Sequence, residues 1–379
     1  MIIGINAVNI NSGGGIVHIE NILANLTKDF KNNNNKNNKI IIWVNPKVFN
    51  ILRKCKLHHL NINIIKKKIY LFGIPWKSFF LFRELKKNNC DIFFALDGLA
   101  LRKYKKTIIL FQNLLPFCNH EIIKYGVSLS TLKLVLLRFF YLISLKNCDG
   151  AIYLSKYSKS KIESQIGKAK KSIIIPHGVS KDFVLKKKKI LVSGRNKINV
   201  IYISSIDLYK YQWNVVKAIE LLAKENINVN LHLVGPINNN IAENLLNKAC
   251  YKLNSIKKKS VILHGELNKN AIINLLKKMN GFIYASSCET FGISLLEGIA
   301  SKLPVFSSNM SGLQTIFGNN YVNYFNPTDC KSIYNCLKKN FINKKNINNI
   351  NEKKLLNEFS WKKASISTIK FMRKIQNVN

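Results

Sequence analysis

Apolar residues along this chain fall into short runs separated by stretches in which they recur every three to four positions. Ile2–Asn6 reads as a buried strand. Ser12-Gly13-Gly14-Gly15 follows, and then Ile16, Ile19, Ile22, Leu23 and Leu26 recur at the spacing of a helix with one buried face. Further strands are predicted at Ile40–Val44, Asp91–Ala95, Thr107–Phe111, Gly150–Leu154 and Ser172–Ile175, with helices near 76–88, 130–146 and 157–166. A lysine-rich stretch without clear periodicity, Val184–Asn199, breaks the alternation. The pattern then restarts with strands at Val200–Ser204, Asn230–Val234, Val261–His264, Phe282–Ala285 and Val305–Ser307, and helices near 213–224, 240–253, 270–278 and 293–302. Short apolar strands alternating with helices predict parallel sheets covered on both faces. Two successive doubly wound α/β domains follow, residues 1–185 and 186–357, with a last helical segment at 358–379. Such sheets bind ligands at the carboxyl ends of their strands, which makes a cleft between the two domains the expected site.

Some segments depart from this alternation. Lys31–Lys39 (KNNNNKNNK) and Asn343–Asn351 (NKKNINNIN) read as solvated loops. Segment 129–146 is apolar nearly all round, broken by Lys133 and Arg138, and reads as a core helix of the first domain. The other reading is contact with a membrane surface, shared with the aromatic and basic segment Tyr70–Phe82.

Composition narrows the function. Sixty Lys and Arg stand against 19 Asp and Glu, for a net charge of +41 over 379 residues. The excess is spread evenly: 30 basic and 9 acidic residues precede position 186, and 30 and 10 follow. Only six of the basic residues are Arg. A nucleic-acid binder concentrates charge on one face and uses Arg at base edges, so this distribution reads as compositional background with no specific nucleic-acid partner. It still attracts acidic surfaces, anionic lipid headgroups included. No apolar run approaches the ~20 residues that span a bilayer, and MIIGINAVNI lacks a basic leader. A cytoplasmic protein is expected, either free or peripheral on the inner face of the plasma membrane. The eight cysteines form no Cys-x-x-Cys pair and accompany no zinc-spaced histidines, so reduced thiols and no metal are expected.

The most informative window is Ala285–Thr328 (ASSCETFGISLLEGIASKLPVFSSNMSGLQTIFGNNYVNYFNPT). A strand ends at Ala285, a short loop carries Glu289, Phe291 and Gly292, and a helix starts near Ile293, with Leu295, Leu296, Ile299, Ala300 and Leu303 on its apolar face. Glu297 lies on the other side, just over one turn in. A helix N-terminus offers unpaired N–H groups and about half a positive charge, which suits a diphosphate, and Gly292 lets an anion come close. Glu297 then accepts from ribose hydroxyls and Glu289 from sugar hydroxyls. As isolated residues, Glu289 also reads as a cap and Glu297 as a solvated helix position.

Glu289 and Glu297 with seven residues between them, Phe291-Gly292 and Leu303-Pro304-Val305 together resemble the donor-site signature of the family-4 retaining glycosyltransferases. Other stretches match in order: Gly13-Gly14-Gly15, Ala151–Ser160 (AIYLSKYSKS), Ile175–Val179 (IPHGV) and Phe359-Ser360-Trp361. The resemblance implies a GT-B fold of two Rossmann-like domains facing across a cleft, with the last helix crossing back to the first domain. It implies a retaining hexosyltransferase of surface-polysaccharide or lipopolysaccharide synthesis. Such an enzyme moves a sugar from a nucleotide-sugar to a glycan or lipid-linked acceptor, without metal or other cofactor.

Site residues follow from the same resemblance. Lys210, in SSIDLYKYQWN, stands where the family places its phosphate-binding lysine. Gly265, Glu266 and Leu267 stand where it reads the base, and Phe291, Gly292 and Ile293 at the phosphate. Gly14 and Gly15 let substrate approach the backbone, or simply form a tight turn. There are departures. Ser204-Ser205 replace an Arg common in the family, Gln112-Asn113 replace a His-Asp pair, and Gln314-Thr315 replace Pro-Glu. An amide at 112 or 113 binds a hydroxyl but is neither acid nor base. His18 and His177 read as structural. Two alternatives stay open: a nucleotide-sugar epimerase of the same fold, and an inactive polyanion-binding protein.

Overall fold

The computed structural model describes all residues except 11–12, 27–37, 56, 58–59, 67–73, 186–196, 258–259, 343–350 and 378–379, and describes the side chains of 74–79 and 342 no further. Most of both Asn/Lys tracts, and the middle of the Val184–Asn199 stretch, therefore lie outside the described residues. The chain divides into two compact units, residues 1–178 with 359–379, and residues 179–358.

The first unit is built on a seven-stranded sheet: β1 (Ile2–Ala7), β2 (Lys39–Val44), β3 (Ile62–Lys66), β4 (Ile92–Ala95), β5 (Lys106–Leu110), β6 (Gly150–Tyr153) and β7 (Ser172–Ile174). Its order is β3-β2-β1-β4-β5-β6-β7 and every pairing is parallel. Central strands such as Ile92–Ala95 and Gly150–Tyr153 are buried along their whole length, which is why they read as unbroken apolar runs. β3 escaped the pattern: it is an edge strand whose Asn63 and Lys66 are exposed. So did helix Pro46–Lys54, which starts on an Asn45 side-chain cap with proline in its first turn.

Residues 359–379 belong to this unit through helix Trp361–Gln376. Its Ser365 hydroxyl donates to the carbonyl of Ile22 at 3.0 Å, in helix Gly14–Ala24. Its Phe371 and Ile375 lie so near Gly150 that a Cβ there would stand 2.8 and 3.0 Å from them. Gly178 has the same tightness against backbone, since a Cβ would meet the Trp361 nitrogen at 2.2 Å. The two histidines sit here. His18 and His177 are buried with Nδ1 atoms 3.2 Å apart, and the Trp361 ring packs on both, 5.9 and 5.4 Å away between centroids.

Segment 129–146 corrects the reading of a plain core helix. Only Tyr141, Ser144 and Leu145 of helix Leu129–Asn147 are buried, and the residues before them present large apolar side chains to solvent.

The second unit carries a six-stranded parallel sheet: β8 (Ile198–Ile203), β9 (Val229–Val234), β10 (Val261–Leu263), β11 (Gly281–Tyr284), β12 (Val305–Ser308) and β13 (Asn323–Phe325), in the order β10-β9-β8-β11-β12-β13. The edge strand β13 is three residues long with one buried, too brief a pattern to be read from sequence. Helix Ile293–Ala300 sits hard on β11, because a Cβ on Gly298 would come within 2.5 Å of the Phe282 ring. The expected pair of doubly wound parallel-sheet domains is what the chain forms.

Candidate functional site

In the second unit, two connections leave the carboxyl ends of adjacent strands β8 and β11 and are stitched to each other. The first runs through Ser204–Asp207 into a turn of 3-10 helix at Leu208–Lys210, where Asp207 caps its own turn. Tyr211 follows with φ 50° and starts helix Gln212–Lys224. The second runs from Ala285 to Gly292. Ser287 donates its amide to the carbonyl of Tyr209 at 2.9 Å, and its hydroxyl reaches the same oxygen at 3.2 Å. The Glu289 amide in turn donates to the Ser311 hydroxyl at 3.0 Å.

This stitching brings Lys210 and Glu289 together. The Lys210 ammonium donates to Oε1 of Glu289, with the two side chains only 8% and 15% exposed. The same oxygen accepts from the Tyr284 hydroxyl at 2.6 Å and the Ser286 hydroxyl at 2.6 Å. Around the ammonium stand the rings of Tyr209 and Tyr284, 4.8 and 5.3 Å from Nζ, and the Tyr202 hydroxyl donates to the Lys210 carbonyl at 2.7 Å. A cation over aromatic faces and a carboxylate under hydroxyl donors are each stabilised where water is scarce. Burial, with the charge of Glu289 next, pushes the Tyr284 phenol well above its usual range, so it stays protonated and keeps donating. All three donors end on Oε1, leaving Oε2 for a further hydroxyl, and the ammonium has N–H groups beyond the one spent on Glu289.

Gly292 adopts φ 87° and caps helix Ile293–Ala300 without a side-chain partner, so Ile293 stands at an N-terminus whose N–H groups are not taken by a cap side chain. Phe291 turns its ring into the core, packed on Phe317 at 5.5 Å between centroids, so its part in any site is through its main chain. Glu297, half-buried one turn further, is desolvated enough that its carboxyl is pushed up to about 8, against the weaker opposing charge of Lys269. Glu289 and Glu297 therefore differ in kind: one is held by hydroxyl and ammonium donors, the other is half-buried with its charged form disfavoured by desolvation.

Ser204 and Ser205 are held from below, their hydroxyl and carbonyl accepting from the Gln212 amide at 3.1 and 2.8 Å. The β9 connection comes close as well, since Gly235 stands with φ 141° against the Ser204 carbonyl and donates its amide to the Gly265 carbonyl at 2.8 Å. Gly265 and Glu266 are exposed and Leu267 half-buried just past β10. Gly14, Gly15, Gln112 and Asn113 lie in the first unit. Gly15 stands beside Gln112, whose amide donates to the Leu96 carbonyl at 3.1 Å, while Asn113 caps a turn through the Leu115 amide. Tyr284, Ser286, Tyr209, Tyr202 and Ser311 were not singled out from the sequence. The positions of Tyr202 and Tyr284 near the carboxyl ends of neighbouring strands were the one signal available. Among the described residues, no group of three or more His, Cys, Asp or Glu is placed to hold a metal ion.

Two parallel-sheet Rossmann-like units define a GT-B fold, and this is what the comparisons with solved structures return. The chain superposes on sucrose-phosphate synthase from Thermosynechococcus elongatus with a TM-score of 0.75 at 14% identity, covering 99% of each chain. It superposes on Anabaena HepE in complex with UDP and glucose with a TM-score of 0.72 at 14% identity, covering 98% of this chain and 99% of that one. Residues 184–354, essentially the second unit, match the family described as glycosyl transferases group 1. An uncharacterized glycosyltransferase of Methanocaldococcus jannaschii is 23% identical over 250 residues, a match that spans 63% of this chain and 64% of that protein's length.

Proposed function

We propose that this protein is a glycosyltransferase that takes a sugar from a nucleoside-diphosphate sugar and passes it to a carbohydrate-bearing acceptor. The observation that carries the reading is the buried Lys210–Glu289 pair at the carboxyl edge of the second sheet, beside an uncapped helix N-terminus. When the glycosidic C–O bond breaks, the nucleoside diphosphate departs with the bonding electrons and negative charge grows on its phosphates. Lys210 supplies a fixed positive charge for that group, and the N–H groups at Ile293 add a second source, both organised before the substrate arrives. Glu289 accepts a hydroxyl of the transferred sugar through Oε2, and Glu297 accepts from the ribose. The amide of Gln112 and the turn at Gly14-Gly15 serve the acceptor in the first unit.

Retention of the anomeric configuration and independence from metal are the finer parts of this proposal. Ordered positive charge at the diphosphate does the work that a bridging cation does elsewhere. The HepE complex with UDP and glucose makes UDP the first nucleotide to try. Calorimetric titration of UDP and GDP into the full chain, with Glu297→Gln and Lys210→Met in parallel, tests the reading. Micromolar binding of one nucleotide, weakened at least about tenfold by either substitution, supports it. Equal affinity in all three proteins overturns the site. Conversion of a donor without any acceptor would identify an epimerase instead.

A further inference from the structure

The helix Leu129–Asn147 is anchored at one end only. Tyr141 packs on Phe117 and Phe111, with centroids 5.6 and 5.4 Å away, and Ser144 accepts the Ala100 amide at 2.8 Å. Arg138 donates to the Pro116 carbonyl and the Asn119 side chain at 2.6 and 2.5 Å. Ahead of this anchor the helix stands out from the unit. Leu132, Val135, Leu136 and Phe139 are 54%, 51%, 44% and 56% exposed, and Leu129 is 75% exposed. At 100° per residue these five positions fall within one arc of about 120°, a continuous apolar stripe. Ile123 and Val127, in the turn just before the helix, are at least as exposed.

Monomeric proteins rarely leave so long a run of large apolar side chains in water, so this face is built to be covered. Its charge decides by what. Lys133 is exposed at one border of the stripe and Arg138 lies at the other, and the helix carries no carboxylate. The nearest acid in the preceding turn, Glu121, is buried and matched by Lys124 at 2.8 Å. A second copy of a chain carrying +41 would bring like charge to like charge across this stripe. An anionic bilayer offers the opposite: apolar depth for the stripe and phosphates for the exposed Lys133 beside it and for the strongly basic chain behind it. Among the described residues no helix is long and apolar enough to cross a membrane, which agrees with a helix lying in the interface.

We propose that the first unit docks on anionic lipid surfaces through the stripe Leu129, Leu132, Val135, Leu136 and Phe139, with Ile123 and Val127 at its leading end. The proposal stands on this face alone and does not depend on the donor site. The test is flotation of the full chain with phosphatidylcholine vesicles containing about 30 mol% phosphatidylglycerol. Bulk charge alone would attract so basic a protein, so the decisive variant keeps the charge: Leu132→Gln, Leu136→Gln and Phe139→Gln together. These side chains are exposed, and an unchanged thermal midpoint will show that the fold is kept. The triple variant is expected to lose vesicle partition by at least about tenfold. A Phe139→Trp protein is expected to shift its emission to the blue when vesicles are added. Undiminished flotation of the triple variant, or an unshifted emission spectrum from the Phe139→Trp protein, overturns the proposal. So does a lipid-free dimer that the triple substitution dissolves while vesicles bind neither protein.

Discussion

The phenol of Tyr284 donates to Oε1 of Glu289 across 2.6 Å, and its ring stands under the ammonium of Lys210, 5.3 Å from Nζ. One side chain at the end of a strand thus fixes both charged members of the site. Tyr284→Phe keeps the ring and removes the hydroxyl. Glu289 retains Lys210 and Ser286, so on the proposed reading the fold and the affinity for the donor nucleotide are expected to stay within about twofold, while sugar transfer falls about tenfold through loss of one bond to a charged group. Steady-state kinetics beside calorimetry separates the two, and a matching loss of UDP affinity would contradict a positioning role.

Glu297 gives a pH signature. Its carboxyl takes up a proton near pH 8 in the fold and near 4.5 when unfolded, so the folded form binds more protons between those values. Stability is therefore highest at the acid end of this window and declines as pH rises toward 8. Glu297→Gln removes the decline, and thermal midpoints at pH 5 and 8.5 should show the variant gaining about 1–3 kcal/mol over the native protein at the higher pH. If the carboxylate also accepts ribose hydroxyls, UDP binding at pH 7 releases a proton. Titration in buffers of different ionisation enthalpy measures this, and Glu297→Gln abolishes it.

The buried histidine pair acts in the opposite direction. Burial lowers His18 from 6.5 to about 3, and burial with the neighbouring ring lowers His177 well below its usual value. A group protonated more easily in the unfolded chain gives stability that is complete above pH 6.5 and lost as pH falls from there toward 3. At pH 5 the stability lost through His18 amounts to about 2 kcal/mol. Denaturant midpoints between pH 7.5 and 5 should fall more steeply in the native protein than in His18→Gln.

Gly178→Ala tests the seat of helix Trp361–Gln376. The added methyl would stand 2.2 Å from the Trp361 nitrogen, and backbone cannot swing aside as a side chain can. A loss of about 2–4 kcal/mol is expected, with new protease cleavage near Phe359. The IPHGV segment thus has a mechanical reason for its glycine, apart from any contact with substrate.

These cases show which parts of the molecule its sequence displays. Strands such as Ile92–Ala95 and Gly281–Tyr284 are buried on both faces and announce themselves as apolar runs. Edge strand β3 does not, because its Asn63 and Lys66 meet water, and β13 does not because it is only three residues long. The spacing of Glu289 and Glu297 around a strand-to-helix turn was visible, and so was Lys210. The hydroxyls of Tyr284 and Ser286 were not, since a tyrosine that ends a strand looks like any other core aromatic until its partner is seen. The 129–146 helix misled for a related reason. Apolar composition fixes that a face wants covering, not whether the cover belongs to the same chain.

Helix Trp361–Gln376 closes the first unit although the whole of the second unit, residues 179–358, separates it from Gly178. The second unit is continuous in sequence and can collapse as soon as it is made. The first is completed later: the surfaces around Ile22, Gly150 and Gly178 stay uncovered until Trp361 and Phe371 arrive. During synthesis, then, the earlier half of the protein waits for the later one, and an apolar seam on a strongly basic chain is exposed for the interval. A fragment ending at Gly178 is therefore expected to leave exposed the surfaces that Trp361 and Phe371 cover in the full chain.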